Sequence, residues 1–162
     1  MAVVSSLAGS PAAAGGLWLD GCEIERIPAR ARGSYVLLIR LDESRTMAAG
    51  ALPGTRFRRG YYAYVGSAMR GIKSRIGRHL KPDRKRHWHI DYLLEVAEVI
   101  GAGIVASAAR SECAVAGEMA LRFDFIPGFG SSDCRCRSHL FYAPDAARLR
   151  DGIKTALAAV EA

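Results

Sequence analysis

An α+β fold, a small antiparallel sheet flanked by helices, is predicted by three features of this 162-residue sequence. Two runs rich in β-branched and aromatic residues, 33–41 and 60–66, read as buried strands, and strands joined by a hairpin run antiparallel. Two apolar stripes at helical spacing lie further along, one through Ile72, Ile76 and Leu80, the other through Leu149, Ile153, Leu157 and Val160. Strands and helices alternate irregularly, which separates this pattern from a regular βαβ succession. The length suits one domain, and a chain that is 50% hydrophobic can bury a real core at this size.

Residues 1–30 are expected to be a flexible leader, rich in Ala, Ser and Gly near its start and without the positive head and apolar stretch of a signal peptide. Residues 31–162 are expected to form the single domain. Its first strand is Ser34–Leu41, followed by a turn at Asp42–Ser44. Thr46–Leu52 is a weaker strand candidate, closed by Pro53-Gly54. Gly60–Gly66 is the second firm strand, and its alternation puts Tyr62 and Tyr64 on one face and Tyr61 on the other. A helix over 70–80 follows, then a basic loop containing Pro82, a short helix over 90–96 and a strand over 99–107. Ser111 is placed to cap a helix running over 112–123. A glycine-rich loop bearing cysteines spans 128–137, a short strand spans 138–142, and a helix after Pro144 closes the chain.

Charge narrows the partner. Lys and Arg number 23 against 16 Asp and Glu, a net charge of +7. The excess is local: residues 33–100 hold 13 bases and 6 acids, whereas the rest of the chain is balanced. Between Arg56 and Arg86 there are 11 bases and one acid, Asp83. Such a block is either a solvated basic surface or a footprint for an anionic partner, nucleic acid above all. No apolar run approaches the length, about 18 residues, that a bilayer-spanning helix needs. A membrane partner is therefore not expected, and the cytoplasm is the expected location. Without a secretion signal, Cys22, Cys113, Cys134 and Cys136 are expected to be reduced thiols or ligands rather than a disulfide framework.

Several constellations have chemical potential. Tyr64-Val65-Gly66-Ser67 runs into a helix carrying Arg75 and His79 four positions apart. A strand-end glycine admits close backbone approach, a helix N-terminus attracts anions, and an Arg one or two turns in offers a planar fork of donors to a phosphate. Aromatic residues on strands mostly pack, which is the reading for Tyr61 and Tyr62. His87-Trp88-His89-Ile90-Asp91 suits a metal, a phosphate or an ordinary buried histidine, and on a helix His87 and Asp91 pair. Ser132, Asp133, Ser138 and His139 belong to a polar loop able to line the same cleft. Cys113, Cys134, Cys136 and His139 can be drawn as a four-ligand metal site. The Cys-x-Cys spacing is tighter than the usual zinc pattern, so a compact loop with buried, inert thiols is preferred and structural zinc is not expected. Glu112, in the first turn of its helix, suits the helix dipole or a hard cation such as Mg²⁺.

These residues resemble a family. Gly33-Ser34-Tyr35 on one strand, Tyr64-Val65-Gly66-Ser67 on the next, then Arg75 and His79, resemble the signature of the GIY-YIG nucleases. The segments 60–80, 87–93, 112–113 and 128–142 are similar to a bacterial and archaeal branch sometimes fused to DNA glycosylases of the endonuclease III type. The resemblance covers residues 31–143. It implies cleavage of a DNA phosphodiester with one divalent cation, Mg²⁺ or Mn²⁺, held by Glu112. It also implies that Tyr35 and Tyr64 sit beside the attacking water, one as general base or its positioner. Arg75 would stabilise the transition-state phosphate and His79 would assist. Gly66, Ser67, Lys73, Arg78, His87 and His89 are expected to hold substrate. Tyr35 and Tyr64 stand 29 positions apart, further than the family pattern, so residues 46–60 are expected to add a hairpin. The Asn common near the end of active members has no counterpart, leaving Asp133, Ser138 or His139 as substitutes. No separate DNA-binding domain is visible, so recognition of long duplex calls for a partner, with a DNA repair protein the expected kind. The other readings are a nucleic-acid-binding module without turnover and a Cys/His metal-binding protein.

Overall fold

The computed structural model describes residues 16–21 and 23–161. The expected leader over 1–15, and Cys22, lie outside the described residues. Within 16–30, the described residues of the expected leader include regular secondary structure. Leu17–Asp20 forms strand β1, followed by a single 3-10 turn at Ile24–Arg26. Leu19 and Ile27 are fully buried, so this segment joins the core instead of preceding it.

The domain is α+β. Strands β2 (Gly33–Leu41), β5 (Gly60–Ala68), β6 (Glu98–Ala106), β7 (Asp124–Phe125) and β8 (Leu140–Ala143) join β1 in a six-stranded sheet of order β1-β6-β2-β5-β8-β7. Every neighbouring pair in it is antiparallel. Between β2 and β5 the chain makes the expected extra hairpin, β3 (Arg45–Ala49) with β4 (Leu52–Phe57). Its turn falls at Gly50, whose φ of +60° lies in the left-handed region that glycine adopts without cost. The sequence suggested one strand here, and two short ones form.

The period-2 pattern of β2 and β5 divides the molecule into two cores. Tyr35, Leu37, Ile39 and Leu41 with Tyr62 and Tyr64 face one side, where helices α1 (Ile72–Leu80) and α2 (His89–Leu93) and the β3–β4 hairpin cover them. Val36, Leu38, Ala63 and Val65 face the other, under α3 (Glu112–Ala120) and α4 (Ala146–Glu161). Tyr61 packs on that second side, as its alternation predicts. The α4 stripe of Leu149, Ile153 and Leu157 is fully buried, each side chain contributing about 1.5–3 kcal/mol of burial. No helix among the described residues is long and apolar enough to cross a membrane.

Helix boundaries differ from expectation for identifiable reasons. α1 starts at Ile72 because Gly71 takes φ +142°, outside helical space. Its first N–H donates to the Ala31 carbonyl at 2.9 Å, so the helix start is tied to the chain before β2. Ser111 precedes α3 without capping it; its hydroxyl pairs instead with the Ser34 hydroxyl at 2.7 Å.

Gly66 serves the packing of Tyr35. It lies within β5, opposite Tyr35 across the ladder. A Cβ there would stand 2.4 Å from the end of the Tyr35 ring. The glycine therefore makes room for the Tyr35 ring to cross the strand, while its backbone also lines the cleft.

Candidate active site

The cleft begins where a strand ends. β8 pairs with β5 only as far as Leu140 opposite Tyr64, with one further bond from the Val65 N–H to the His139 carbonyl at 2.9 Å. Beyond that point the outer edge of β5 is free of β8. Tyr64, Gly66 and Ser67 line a cleft of about 650 Å³ there, with Arg75 from α1. His87, Trp88 and His89 close one side; Arg110, Glu112, Ser132, Asp133 and His139 line others. A second depression of about 540 Å³, between Arg58, Arg122 and Arg148, holds none of the expected site residues.

Beneath the cleft floor lies a buried triad of rings. The Tyr35 hydroxyl and His79 Nε2 are 2.7 Å apart and share a hydrogen bond. Tyr64 stands edge-on to His79 with centroids 6.1 Å apart, and Tyr35 and Tyr64 lie 6.5 Å apart. Tyr35 and His79 are 1% and 2% exposed, so neither lines the cleft; Tyr64 alone of the three does. Burial pushes both phenols well above their ordinary range. Arg75 opposes that shift without cancelling it. Neither tyrosine is a phenolate at neutral pH.

Burial also lowers the His79 pKa to about 3, so the ring is neutral. The unfolded chain, with an ordinary histidine near pH 6.5, then binds a proton that the folded chain refuses between about pH 6.5 and 3. Stability is full above that window and falls as pH drops through it. Between pH 7 and 4.5 the His79 contribution to the loss is about 2–3 kcal/mol, at about 1.4 kcal/mol per pH unit. Urea unfolding at the two pH values should show it, and His79→Gln should flatten the difference by that amount. An unchanged difference would mean that His79 titrates normally.

Arg75 and Arg78 lie against the same indole. Their guanidinium carbons stand 4.6 and 4.4 Å from the Trp88 ring centroid. Arg75 also donates to the Ser67 carbonyl at 3.1 Å, which fixes its head in the cleft. Arg78 is otherwise engaged. Its two terminal nitrogens donate to both Asp91 carboxylate oxygens at 3.0 and 3.1 Å, and one also reaches the Lys85 carbonyl. Arg78 does not line the cleft, and its fork is engaged from inside the protein. Lys73 does not line the cleft either. Asp91 also accepts the backbone N–H groups of His87 and Trp88 at 2.7 and 2.8 Å. His87 lies before α2, so the pair that a helix would have made with Asp91 does not form; Asp91 takes the His87 backbone N–H, and the His87 ring lines the cleft.

Among the residues lining the cleft, Glu112 and Ser67 carry a buried polar atom without a hydrogen-bond partner; outside it, His79 Nδ1 and Arg84 Nε do as well. Glu112 Oε1 stands 3.9 Å from Arg110, while its Oε2 is buried without a hydrogen-bond partner, as is the Ser67 hydroxyl. His89 Nδ1 accepts the Gly130 N–H at 2.8 Å, and burial lowers its pKa, so it serves as a neutral brace for the loop. Ser138 is removed from the candidate cleft set, because it is 2% exposed and its hydroxyl bonds only the Leu140 backbone. Arg70 and Arg110 line the cleft without having been singled out, since nothing in their local pattern separates them from other surface arginines.

The cysteines also depart from expectation. Cys113 is exposed and Cys134 and Cys136 are half-buried, so they are not inert core thiols. Their sulfurs and a ring nitrogen of His139 lie within 4.8 Å of one another.

No curated protein and no solved structure matches this chain. A family model described as "Domain of unknown function DUF123" matches residues 34–162, from the first central strand through the closing helix and across every residue of the cleft. The chain belongs to the DUF123 family.

Proposed function

We propose that this protein is a divalent-metal-dependent endonuclease that cuts DNA phosphodiesters in the cleft beside Tyr64, in the manner of the GIY-YIG nucleases it resembles. The observation that carries the reading is the buried, unpartnered Glu112 Oε2 in the same cleft as the Arg75 guanidinium. An orphaned carboxylate oxygen in a polar cleft costs free energy unless a cation or donor completes it. One carboxylate, with water and substrate phosphate, suits Mg²⁺ or Mn²⁺, so Glu112 would hold the metal. Such an ion supplies Lewis-acid stabilisation of the phosphate and a more acidic water.

The chain's own groups divide the remaining work. Arg75 presents positive charge to the developing phosphate charge, held in place by Trp88 and the Ser67 carbonyl. Tyr64 is a neutral phenol at the cleft wall and orients water by hydrogen bonding rather than by deprotonating it. Tyr35 and His79 act from behind, fixing the Tyr64 ring. The basic block supplies non-specific attraction for DNA, and a partner from the DNA repair machinery supplies recognition of the lesion or branch.

The test is cleavage of single-stranded, nicked and branched DNA by the purified protein with Mg²⁺ or Mn²⁺. Cleavage should need the metal, and Glu112→Gln should raise the half-activating metal concentration at least about tenfold. If every substrate stays intact while the protein is folded, and DNA still binds with steep salt dependence, the chain is a binding module without turnover.

A further inference from the structure

We propose that Cys113, Cys134, Cys136 and His139 form a tetrahedral Cys₃His zinc site that ties the first turn of α3 to the glycine-rich loop and to strand β5. This site is separate from Glu112 and does not depend on the nuclease reading.

The geometry is already close to that of a bound ion. A zinc ion with bonds of about 2.3 Å to sulfur and 2.0–2.1 Å to nitrogen sets tetrahedral S···N edges of about 3.6 Å and S···S edges of about 3.8 Å. Cys134 Sγ stands 3.5 Å from His139 Nε2, and all four ligand atoms fall within 4.8 Å of one another. The remaining closure is about an ångström, within reach of side-chain rotation by half-exposed cysteines.

His139 is prepared for the role. Its Nδ1 faces the Val65 carbonyl at 3.1 Å. An imidazole held there donates its Nδ1–H to that carbonyl and presents Nε2 as a lone pair towards Cys134. Metal-ligating histidines are oriented in this way by a backbone carbonyl on the far nitrogen. The ring is 5% exposed and fixed, whereas the thiols approach from the solvent side.

Chemistry selects the metal. Three thiolates and an imidazole form a soft, closed donor set of the structural zinc type, while Mg²⁺ takes oxygen ligands. The short Cys-x-Cys spacing, the ground for discounting zinc from sequence, is compensated in space. Cys113 arrives from α3 and His139 from the residue preceding β8, so the loop need supply only two ligands. Binding releases the thiol protons and makes two elements distant in sequence into one unit. The bond reaches β5 through His139 and Val65, one residue from Tyr64, and reaches α3 at Cys113, one residue from Glu112.

The experiment is elemental analysis of the full chain purified under reductant from zinc-supplemented cells, followed by cobalt exchange. The expected result is about one zinc per chain, released when the thiols are titrated with a mercurial. Cobalt loaded in its place should give intense visible bands of a tetrahedral site with thiolate charge transfer. Cys134→Ser should lower the zinc content to below about 0.2 equivalents. Zinc below about 0.1 equivalents with freely titrating thiols would overturn the proposal. So would an octahedral cobalt spectrum, stoichiometric iron and sulfide, or a mass two hydrogens short showing a disulfide. The cobalt spectrum is read on the unaltered protein, so the result stands even where a cysteine variant fails to fold. None of these readouts involves DNA cleavage, so failure here and failure of the nuclease reading remain distinct.

Discussion

Arg75→Ala is expected to lower DNA cleavage by about 10²–10³-fold while leaving the protein folded. A donor aimed at charge that develops in a phosphate transition state contributes most where its position is fixed before the reaction. Arg75 is held in that way. Its head lines the cleft, one nitrogen is held by the Ser67 carbonyl, and the plane rests on Trp88. The structural loss is small by comparison, about 0.5–2 kcal/mol for the cation–π contact and one hydrogen bond. Steady-state cleavage with circular dichroism and thermal unfolding separates the two effects. Arg75→Lys keeps the charge but loses the planar fork and the stacking, so it should recover less than about a tenth of the lost rate. DNA affinity should change far less than turnover, by about one unit of salt slope for one phosphate contact. Cleavage that survives Arg75→Ala unchanged removes this residue from the mechanism.

The sequence disclosed some of these residues and hid others, and the division follows the range of the interactions. Tyr64 and Arg75 were legible because a period-2 strand and a period-3.6 helix are local patterns, and the three-residue link over 69–71 forces one onto the other. The hairpin of β3 and β4 was legible as extra length between two strands that must pair. Strand β1 was not, since Leu17–Asp20 is only four residues long and finds its partner in β6, more than eighty positions away. Arg78 shows the reach of long-range partners. The resemblance placed it among the substrate-holding groups, and its fork is engaged by Asp91, 13 positions on, beyond a proline-containing loop. The cysteines failed for the same reason: the spacing of Cys134 and Cys136 is local and looked wrong, while the third and fourth donors arrive through the packing of α3 and the residue preceding β8.

Asp91→Ala should destabilise the fold by about 3–5 kcal/mol, measured by urea unfolding at pH 7. The Asp91 carboxylate is fully buried, accepts hydrogen bonds from Arg78 and two backbone amides, and forms an ion pair with Arg84. Arg78 and the His87 and Trp88 N–H groups bond it, and Arg84 lies 3.5 Å away with a side chain only 7% exposed. Burial alone would raise its pKa; the Arg78 hydrogen bonds, with the two backbone amides, overcome that and hold it below the usual carboxylate range. Removing the carboxylate leaves the buried Arg84 charge uncompensated and the two amides unpaired, and this, more than the lost attraction, sets the size of the effect. Arg78→Ala should cost clearly less, because Arg78 is 28% exposed and Asp91 keeps its other donors. Pairing Asp91→Ala with Arg84→Met should recover part of the loss, since the buried cation goes with the anion. The network also reaches the cleft. Asp91 fixes the Trp88 backbone and the Arg78 head on one indole, and Arg75 stacks on that same indole. At a temperature where Asp91→Ala is still folded, its cleavage rate should therefore fall through a loosened Arg75, with metal dependence unchanged. A variant that is destabilised yet cuts at the full rate would show that Arg75 is held without Trp88.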